Sequence, residues 1–348
     1  MKSIIVYYSM SGNTAYAADA LAAQLGLSES AVSLALNNRP GVSPATRRRV
    51  IEAAKQYGYD FSRRSTAGGG KKGTICFAIY KKSGAVVSDT PFFSALTDGI
   101  SLGCRRSHYD CVVRYFYEDD DLGDQIDLLD SQQFAGVVLL ATEISEGTLR
   151  QFSQLRVPMV VLDAYFEHLD FDFILINNIQ GAFNATEYLI RKRRSQPGYL
   201  RSDYWISNFD QRADGFYKAV RAAGLSASQS QVLRLTPSQE GAYEDMKRLL
   251  KAGEKPVDCY FADNDLIAFG AMMALKEAGF RIPEDVAIVG FDDLPACEYM
   301  SPPLTTIMVP KLLMGEAAAL RVIQLIEGTL AQRLKIEVST RLVKRKSV

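Results

Sequence analysis

The chain has 348 residues, 47% of them hydrophobic and 23% charged, with 40 basic and 40 acidic side chains in balance. That length exceeds what one hydrophobic core usually fills, so two or three domains are expected. There is no apolar run of about 18 residues and no signal-like opening, which argues against a membrane span or secretion and for a cytoplasmic protein. Five cysteines, an odd number without CxxC or Cys/His spacing, argue against a disulfide framework or a zinc site.

The zero total hides a division. Residues 1–72 carry ten Lys or Arg against four acids, a net +6, which leaves −6 on the remainder. A basic head on an acidic body fits a polyanion-binding module joined to a regulatory domain, since counterion release favours cations near phosphates; a merely solvated basic surface is the alternative.

Residues 1–14 open with an apolar strand pattern, Ile4 to Tyr8. The following SMSGNT resembles the FMN-phosphate loop of flavodoxins, in which hydroxyls and amides at a helix N-terminus hold the phosphate. The helix it would feed is already the first helix of the next domain, and the sheet and flavin-ring loops are missing. The segment is read as an atypical extension, and no cofactor is expected.

Residues 15–59 form the candidate head. Leu21, Ala22 and Leu25 give a first helix its apolar face, and Gly26 stops it. Ser28 is placed to cap a second helix, residues 29–36, with Val32, Ala35 and Leu36 on one side. Ser43 caps a third that begins at Pro44 and buries Val50, Ala53, Ala54 and Tyr57. Helix, tight glycine turn and helix are the helix-turn-helix arrangement, whose second helix enters the major groove. On pattern alone, a three-helix interaction module without a nucleic-acid role stays open.

The stretch LAAQLGLSESAVSLALNNRPGVSPATRRRVIEAAKQYGY closely resembles the DNA-binding headpiece of the lactose/galactose repressor (LacI/GalR) family. By that resemblance Glu29, Ser30 and Ser33 occupy base-facing positions of the recognition helix. Leu34 stands where a polar or basic residue is common, which puts the operator sequence in question. Asn37, Arg39 and Arg47 suit phosphate contacts or positioning.

Residues 60–73, DFSRRSTAGGGKKG from Asp60, read as a polar hinge linker. Family members usually place here a short helix that wedges a leucine into the minor groove. This segment has no leucine and has three consecutive glycines, so no wedge is expected; Arg63 and Arg64 remain candidates for phosphate or a narrow groove.

From residue 74 to 345, apolar runs at 74–80, 136–140, 159–162, 173–176 and 286–290 alternate with helical patterns such as 92–106 and 266–278. Continuous apolar runs suit strands covered on both faces, and the alternation implies α/β doubly wound parallel sheets that bind ligands at their strands' carboxyl ends. At this length two lobes with a cleft are expected, split near 175 and 303. PFFSALTDGI, FDQRADGF and ADNDLIAFGAMMALKEAGFRIPEDVAIVGFDD are similar to recurrent segments of the same family's effector domain. That resemblance implies a periplasmic-binding-protein-like fold in which the chain crosses between lobes three times.

Candidate effector contacts are Asp265, at a strand-to-helix junction and suited to vicinal hydroxyls or to helix capping, and Arg212, the match to the family's cleft arginine. Phe92 and Phe93 could stack on a sugar ring or belong to the core. Asp163 and Tyr165, after another strand end, follow as weaker candidates, with Thr236, Trp205 and Asn178 behind them. His108 and His168 read as surface residues, and the EDDD cluster at 118–121 as a solvated loop. No HExxH, GxSxG or GxxxxGK[ST] occurs, so no enzyme is expected. The partners expected are double-stranded operator DNA, a small-molecule effector of carbohydrate type, and a second copy in a homodimer. With no room after residue 348 for a heptad tail, a coiled-coil tetramer is not expected. A solute-binding protein whose head has lost DNA binding is the rival reading.

Overall fold

The computed structural model describes residues 22, 25–28, 31–32, 35, 42–56, 72–87, 91–131 and 134–348. The chain divides into two compact units, Met1–Gly70 and Lys71–Val348.

In the first unit, helix α1 spans Pro44–Gln56. The Ser43 hydroxyl accepts the Thr46 N–H at 3.1 Å, and the Ser28 hydroxyl accepts the Ala31 N–H at 3.2 Å. Both capping expectations therefore hold. Gly26 adopts φ 65, and the Leu27 N–H closes the turn on the Ala22 carbonyl at 3.1 Å. Ala22, Val32, Ala35, Val50 and Ala53 form a small core, with Leu25, Leu27 and Val42 packed on it. Leu21, Leu36 and Tyr57 lie outside the described residues.

The second unit alternates strand and helix. Its first lobe contains β1 (Thr74–Lys81), α2 (Pro91–Arg106), β2 (Asp110–Tyr117), α3 (Leu122–Ser131), β3 (Gly136–Leu140), α4 (Glu146–Gln151), β4 (Met159–Leu162) and β5 (Asp172–Ile176). Then follow α5 (Asn178–Arg193), β6 (Gly198–Ser202), α6 (Ser207–Ala222), β7 (Val232–Leu235), α7 (Gln239–Lys251), β8 (Cys259–Ala262), α8 (Asp265–Glu277), β9 (Ala287–Asp292) and β10 (Thr305–Met308) of the second lobe. Helix α9 (Lys311–Ile326) and β11 (Lys335–Val338) return to the first lobe, and β12 (Arg341–Val343) closes the second.

The two six-stranded sheets run β11-β5-β4-β3-β1-β2 and β12-β10-β9-β8-β6-β7. All pairings are parallel except β12 against β10. The chain thus crosses between sheets three times: after Ile176, after Met308 and after Val338. The second crossing lies beyond the expected 303, because β10 is still hydrogen-bonded to β9. The body also continues past residue 345, since the Ser347 hydroxyl donates to the Ile288 carbonyl at 2.6 Å and accepts the Thr305 N–H at 2.8 Å.

Helices α2 and α9 pack with their backbones nearly touching. A Cβ on Gly99 would lie 2.2 Å from the Leu312 carbonyl oxygen, and one on Gly315 2.2 Å from that of Leu96, so both positions require glycine. Where α9 ends, the fully buried Arg321 guanidinium donates from Nε to Asp172 Oδ1 at 2.7 Å and from Nη1 to the Leu330 carbonyl at 3.0 Å. Arg333 and the Leu334 N–H complete the carboxylate at 3.1 and 2.9 Å. Removing one partner of such a pair strands a buried charge. Asp172→Ala is expected to lower the unfolding free energy of the body by about 3–5 kcal/mol, as measured by urea titration, with Arg321 left unpaired.

Candidate effector cleft and DNA-binding head

A narrow cleft opens between the lobes at the carboxyl ends of the strands. Its apolar walls include Phe92 and Phe93 from the start of α2, Ile206 and Phe209 at the start of α6, and Leu294 after β9. The Phe92 and Phe93 rings meet edge to face, centroids 5.1 Å apart. Thr142 and Asp163 bring polar atoms from the first lobe, and Asn208, Arg212, Asn264 and Asp292 bring them from the second.

These polar groups form one connected system. The Thr142 hydroxyl donates to Asp163 Oδ2 at 2.7 Å, and the Asn208 amide, across the lobe boundary, donates to Asp163 Oδ1 at 3.0 Å. Asn178 donates to Asn208 Oδ1 at 3.0 Å and accepts Arg212 Nε at 2.9 Å. Arg212 then donates through its other nitrogens to the Asp263 carbonyl and, at 3.2 Å, to Asp292 Oδ1. Its guanidinium lies 3.8 Å from the Phe291 ring centroid, so its charge is covered on one face as well as along its edges. Burial pushes the Asp163 carboxyl up to about 6 against the pull of Thr142, the Arg212 charge and Asn208. It likewise raises Asp292, with Arg212 and Lys311 opposing.

Both cavity carboxylates sit on left-handed backbone, Asp163 at φ 65 and Asp292 at φ 110. Such conformations in non-glycine residues persist where surrounding contacts hold them, and they cluster at ligand sites. The 82–87 segment, whose Val86 lines the cavity, is held by Glu143. Glu143 Oε2 accepts the N–H groups of Lys82, Ser83 and Gly84 at 2.9, 3.1 and 3.0 Å, and Oε1 those of Val86 and Val87 at 2.7 and 2.8 Å.

Residues 20–61 match the family model for bacterial regulatory proteins of the lacI family, and residues 186–348 match that of a periplasmic binding protein-like domain. The HTH-type transcriptional repressor PurR of Mannheimia succiniciproducens is 30% identical over 334 residues, covering 94% of this chain and 97% of that protein. The chain belongs to the lacI family. It is a DNA-binding transcriptional regulator under small-molecule control, not an enzyme. Among solved structures, the transcriptional regulator CelR in complex with cellobiose aligns with TM-score 0.72 at 25% identity, over 95% of this chain and 99% of that one. A LacI-family regulator from Enterococcus faecalis V583 with bound ribose aligns with TM-score 0.66 at 27% identity, over 79% and 98%.

Of the residues singled out in this lacI-family chain, Phe92, Phe93, Asp163 and Arg212 meet at the cavity. Asp265, Tyr165, Thr236, Trp205 and Asn178 do not line it, and the exposed Trp205 donates from Nε1 to Asp210 Oδ2 at 2.6 Å. Asp265 is turned inward: Oδ2 accepts the Leu294 N–H at 2.8 Å and the Cys297 thiol at 3.1 Å, and Oδ1 accepts the Thr306 hydroxyl at 2.5 Å. The neighbouring Asn264 caps α8 through the Ile267 N–H and lines the cavity instead. Tyr165 packs edge to face on Phe173, with Lys335 over its ring. Thr236 is bound, through its hydroxyl and its N–H, to Asp245. Asn178, placed last by sequence, is central. Thr142, Ile206, Asn208, Phe209 and Asp292 were not singled out; the GFDD end of an apolar strand was the available sign for Asp292. His108 and His168 are exposed as expected.

In the head, Arg47 of α1 is half-buried beside Val42, Arg48 and Ile51. Glu29, Ser30, Ser33, Leu34, Asn37, Arg39, Arg63 and Arg64 lie outside the described residues. No helix among the described residues is long and apolar enough to cross a membrane.

Asp265 generates a pH signature. Burial, with the nearby Asp292 charge, pushes its carboxyl up to about 7, so the folded protein holds a proton there that the unfolded chain releases above about pH 4. A raised acid contributes most at low pH, and the contribution fades as pH climbs through the folded value. The stability advantage of the natural protein over Asp265→Ala is expected to shrink by about 4 kcal/mol between pH 4 and 7 and to level off above. Urea unfolding of both proteins across that range measures it; a difference independent of pH contradicts the assignment.

Proposed function

We propose that the protein is a repressor whose operator affinity is set by an uncharged, hydroxyl-rich effector of carbohydrate type held between the lobes. The observation that carries this reading is the composition of the cavity. Among its described lining residues two carboxylates face one guanidinium, and that guanidinium is already engaged by Asn178, Asp263 and Asp292. The surplus of acceptors suits ligand hydroxyls and disfavours phosphate or carboxylate. Phe92, Phe93 and Phe209 offer faces for the apolar side of a sugar ring. The cellobiose and ribose in the two similar structures support the same class.

Residues 15–59 act as the reading head, with Glu29, Ser30 and Ser33 toward base edges, Leu34 altering the operator preference, and Asn37, Arg39 and Arg47 on the backbone. Residues 60–73 are the hinge, from which Arg63 and Arg64 reach DNA. Two copies pair through their bodies so that two heads occupy the half-sites of a near-palindromic operator in the cytoplasm. Effector binds one lobe arrangement better than another and changes operator affinity by that difference.

Thermal-shift titration tests the effector class. Neutral sugars and nucleosides are offered beside their phosphates to the natural protein and to Asp292→Ala. A ligand at about 100 times its Kd adds about 2.7 kcal/mol to folded-state stability, and the expected stabiliser is a neutral sugar that fails on the variant. Stabilisation by a phosphorylated ligand, or equal stabilisation of both proteins, contradicts the proposal. Operator binding is tested by gel shift on random-sequence duplexes enriched by repeated selection. Affinity is expected to fall about 10³–10⁵-fold between 50 and 200 mM salt if roughly six to ten phosphates are contacted. Failure to enrich any sequence over random competitor contradicts the repressor reading.

A further inference from the structure

Backbone polar groups that leave a sheet need partners elsewhere, and in the segment after β1 nearly all of them find the same one. Strand β1 ends at Lys81, and the chain runs on through residues 82–87 without regular structure. Of the six N–H groups there, that of Ala85 donates to the Ser83 hydroxyl at 3.1 Å. The other five converge on the Glu143 carboxylate at 2.7 to 3.1 Å, three on Oε2 and two on Oε1. Gly84, at φ 70, supplies the left-handed step between the two sets. Glu143 is 4% exposed, and the adjacent Lys82 ammonium is engaged elsewhere, with Glu118 at 3.4 Å. Converging N–H dipoles therefore hold a buried carboxylate in the way that backbone nests hold phosphate.

Glu143 itself sits on a tight turn. Strand β3 ends at Leu140, and the Ile144 N–H closes on the Ala141 carbonyl at 3.0 Å, which makes Thr142 and Glu143 the two central residues. They serve different walls. The Thr142 hydroxyl donates to Asp163 Oδ2 at 2.7 Å, where Asn208 crosses from the other lobe, while Glu143 takes the 82–87 segment. That segment puts Val86 on the cleft and seats Val87, 2% exposed, in the core. One turn thus supports the carboxylate that meets the second lobe and tethers the segment that walls the cleft.

We propose that Glu143 is a positioning residue for the effector: its carboxylate holds the 82–87 segment closed on the cleft, and effector affinity follows the fraction of time that the segment is held. The proposal rests on the reading above that a neutral sugar binds between the lobes. Glu143 does not line the cleft and acts only through the segment. Without the carboxylate the five N–H groups turn to water, and a segment closed about a tenth of the time binds the effector about tenfold more weakly.

The test compares the full natural chain with Glu143→Ala. The atoms deleted from Glu143 are a methylene and a carboxylate, which acetate replaces, so sodium acetate is the rescue probe and sodium chloride at equal ionic strength its control. A panel of neutral sugars that includes D-ribose and cellobiose is titrated by calorimetry, and amide hydrogen exchange is followed in parallel. The sugar that binds the natural protein is expected to bind Glu143→Ala at least about tenfold more weakly. Exchange at 82–87 is expected to quicken while that of β3 and β4 stays as it was, and acetate, but not chloride, is expected to restore both affinity and protection. Glu143→Gln keeps one acceptor oxygen and fills the site, so it should bind weakly without acetate rescue; it also carries the comparison of affinity and exchange should the alanine variant not fold. Equal affinity in natural and variant proteins, a loss that acetate leaves unrestored in a folded alanine variant, or unchanged exchange at 82–87 overturns this proposal and leaves the sugar reading standing. Failure of every neutral sugar to bind the natural protein overturns the sugar reading and this proposal with it.

Discussion

The arrangement of the body depends on burying one guanidinium. Arg212 is 3% exposed, and a charge taken out of water at that depth must be paired and hydrogen-bonded. Its acceptors come from three places: Asn178 at the first lobe crossing, the carbonyl of Asp263 after β8, and the carboxylate of Asp292 at the end of β9. Asn178 passes the order on to Asn208, and Asn208 reaches across to Asp163 in the other lobe. The chain of bonds thus registers one lobe on the other at the wall of the cavity. A ligand that inserts there acts on the groups that set the lobe arrangement.

Two further carboxylates shape the cavity without lining it. Asp265 ties the loop after β9 to the start of α8 and to β10, and Glu143 gathers five backbone N–H groups of the 82–87 segment. Each replaces a ladder or helix as the destination of backbone polar groups that would otherwise lack partners. In a low-dielectric interior such satisfied networks hold loops in one conformation, so Leu294 and Val86 reach the cavity from irregular segments that are nonetheless fixed.

Lys311 links the cavity to the crossing after β10. Its ammonium donates to the Asp292 carbonyl and, at 3.3 Å, to that of Asp293, and it lies 5.6 Å from the Phe92 ring centroid. One side chain at the root of α9 therefore touches a polar wall from one lobe and an aromatic wall from the other. Any change of lobe angle must be absorbed in this region and at the other two crossings, because the sheets themselves are close-packed and transmit displacement.

The sequence by itself determined the class and the order of the elements. Central strands such as β3, β4 and β8 are buried on both faces, so they appear as unbroken apolar runs, and the caps at Ser28 and Ser43 follow from side-chain chemistry within three residues. Edge strands were less legible: β2, β7 and β11 are partly solvated, and their mixed composition carries no comparable signal. Arg212, Phe92 and Phe93 could be placed at the cleft by motif. The tertiary structure decided which way each polar side chain faced. Asp265 and Asn264 are adjacent at a helix start, and a rotation of about 100° per residue sends one into the core and leaves the other on the cavity wall. Asn178, Asn208 and Asp292 are separated by tens of residues and acquire their roles from crossings that bring distant strand ends together, which local patterns do not encode.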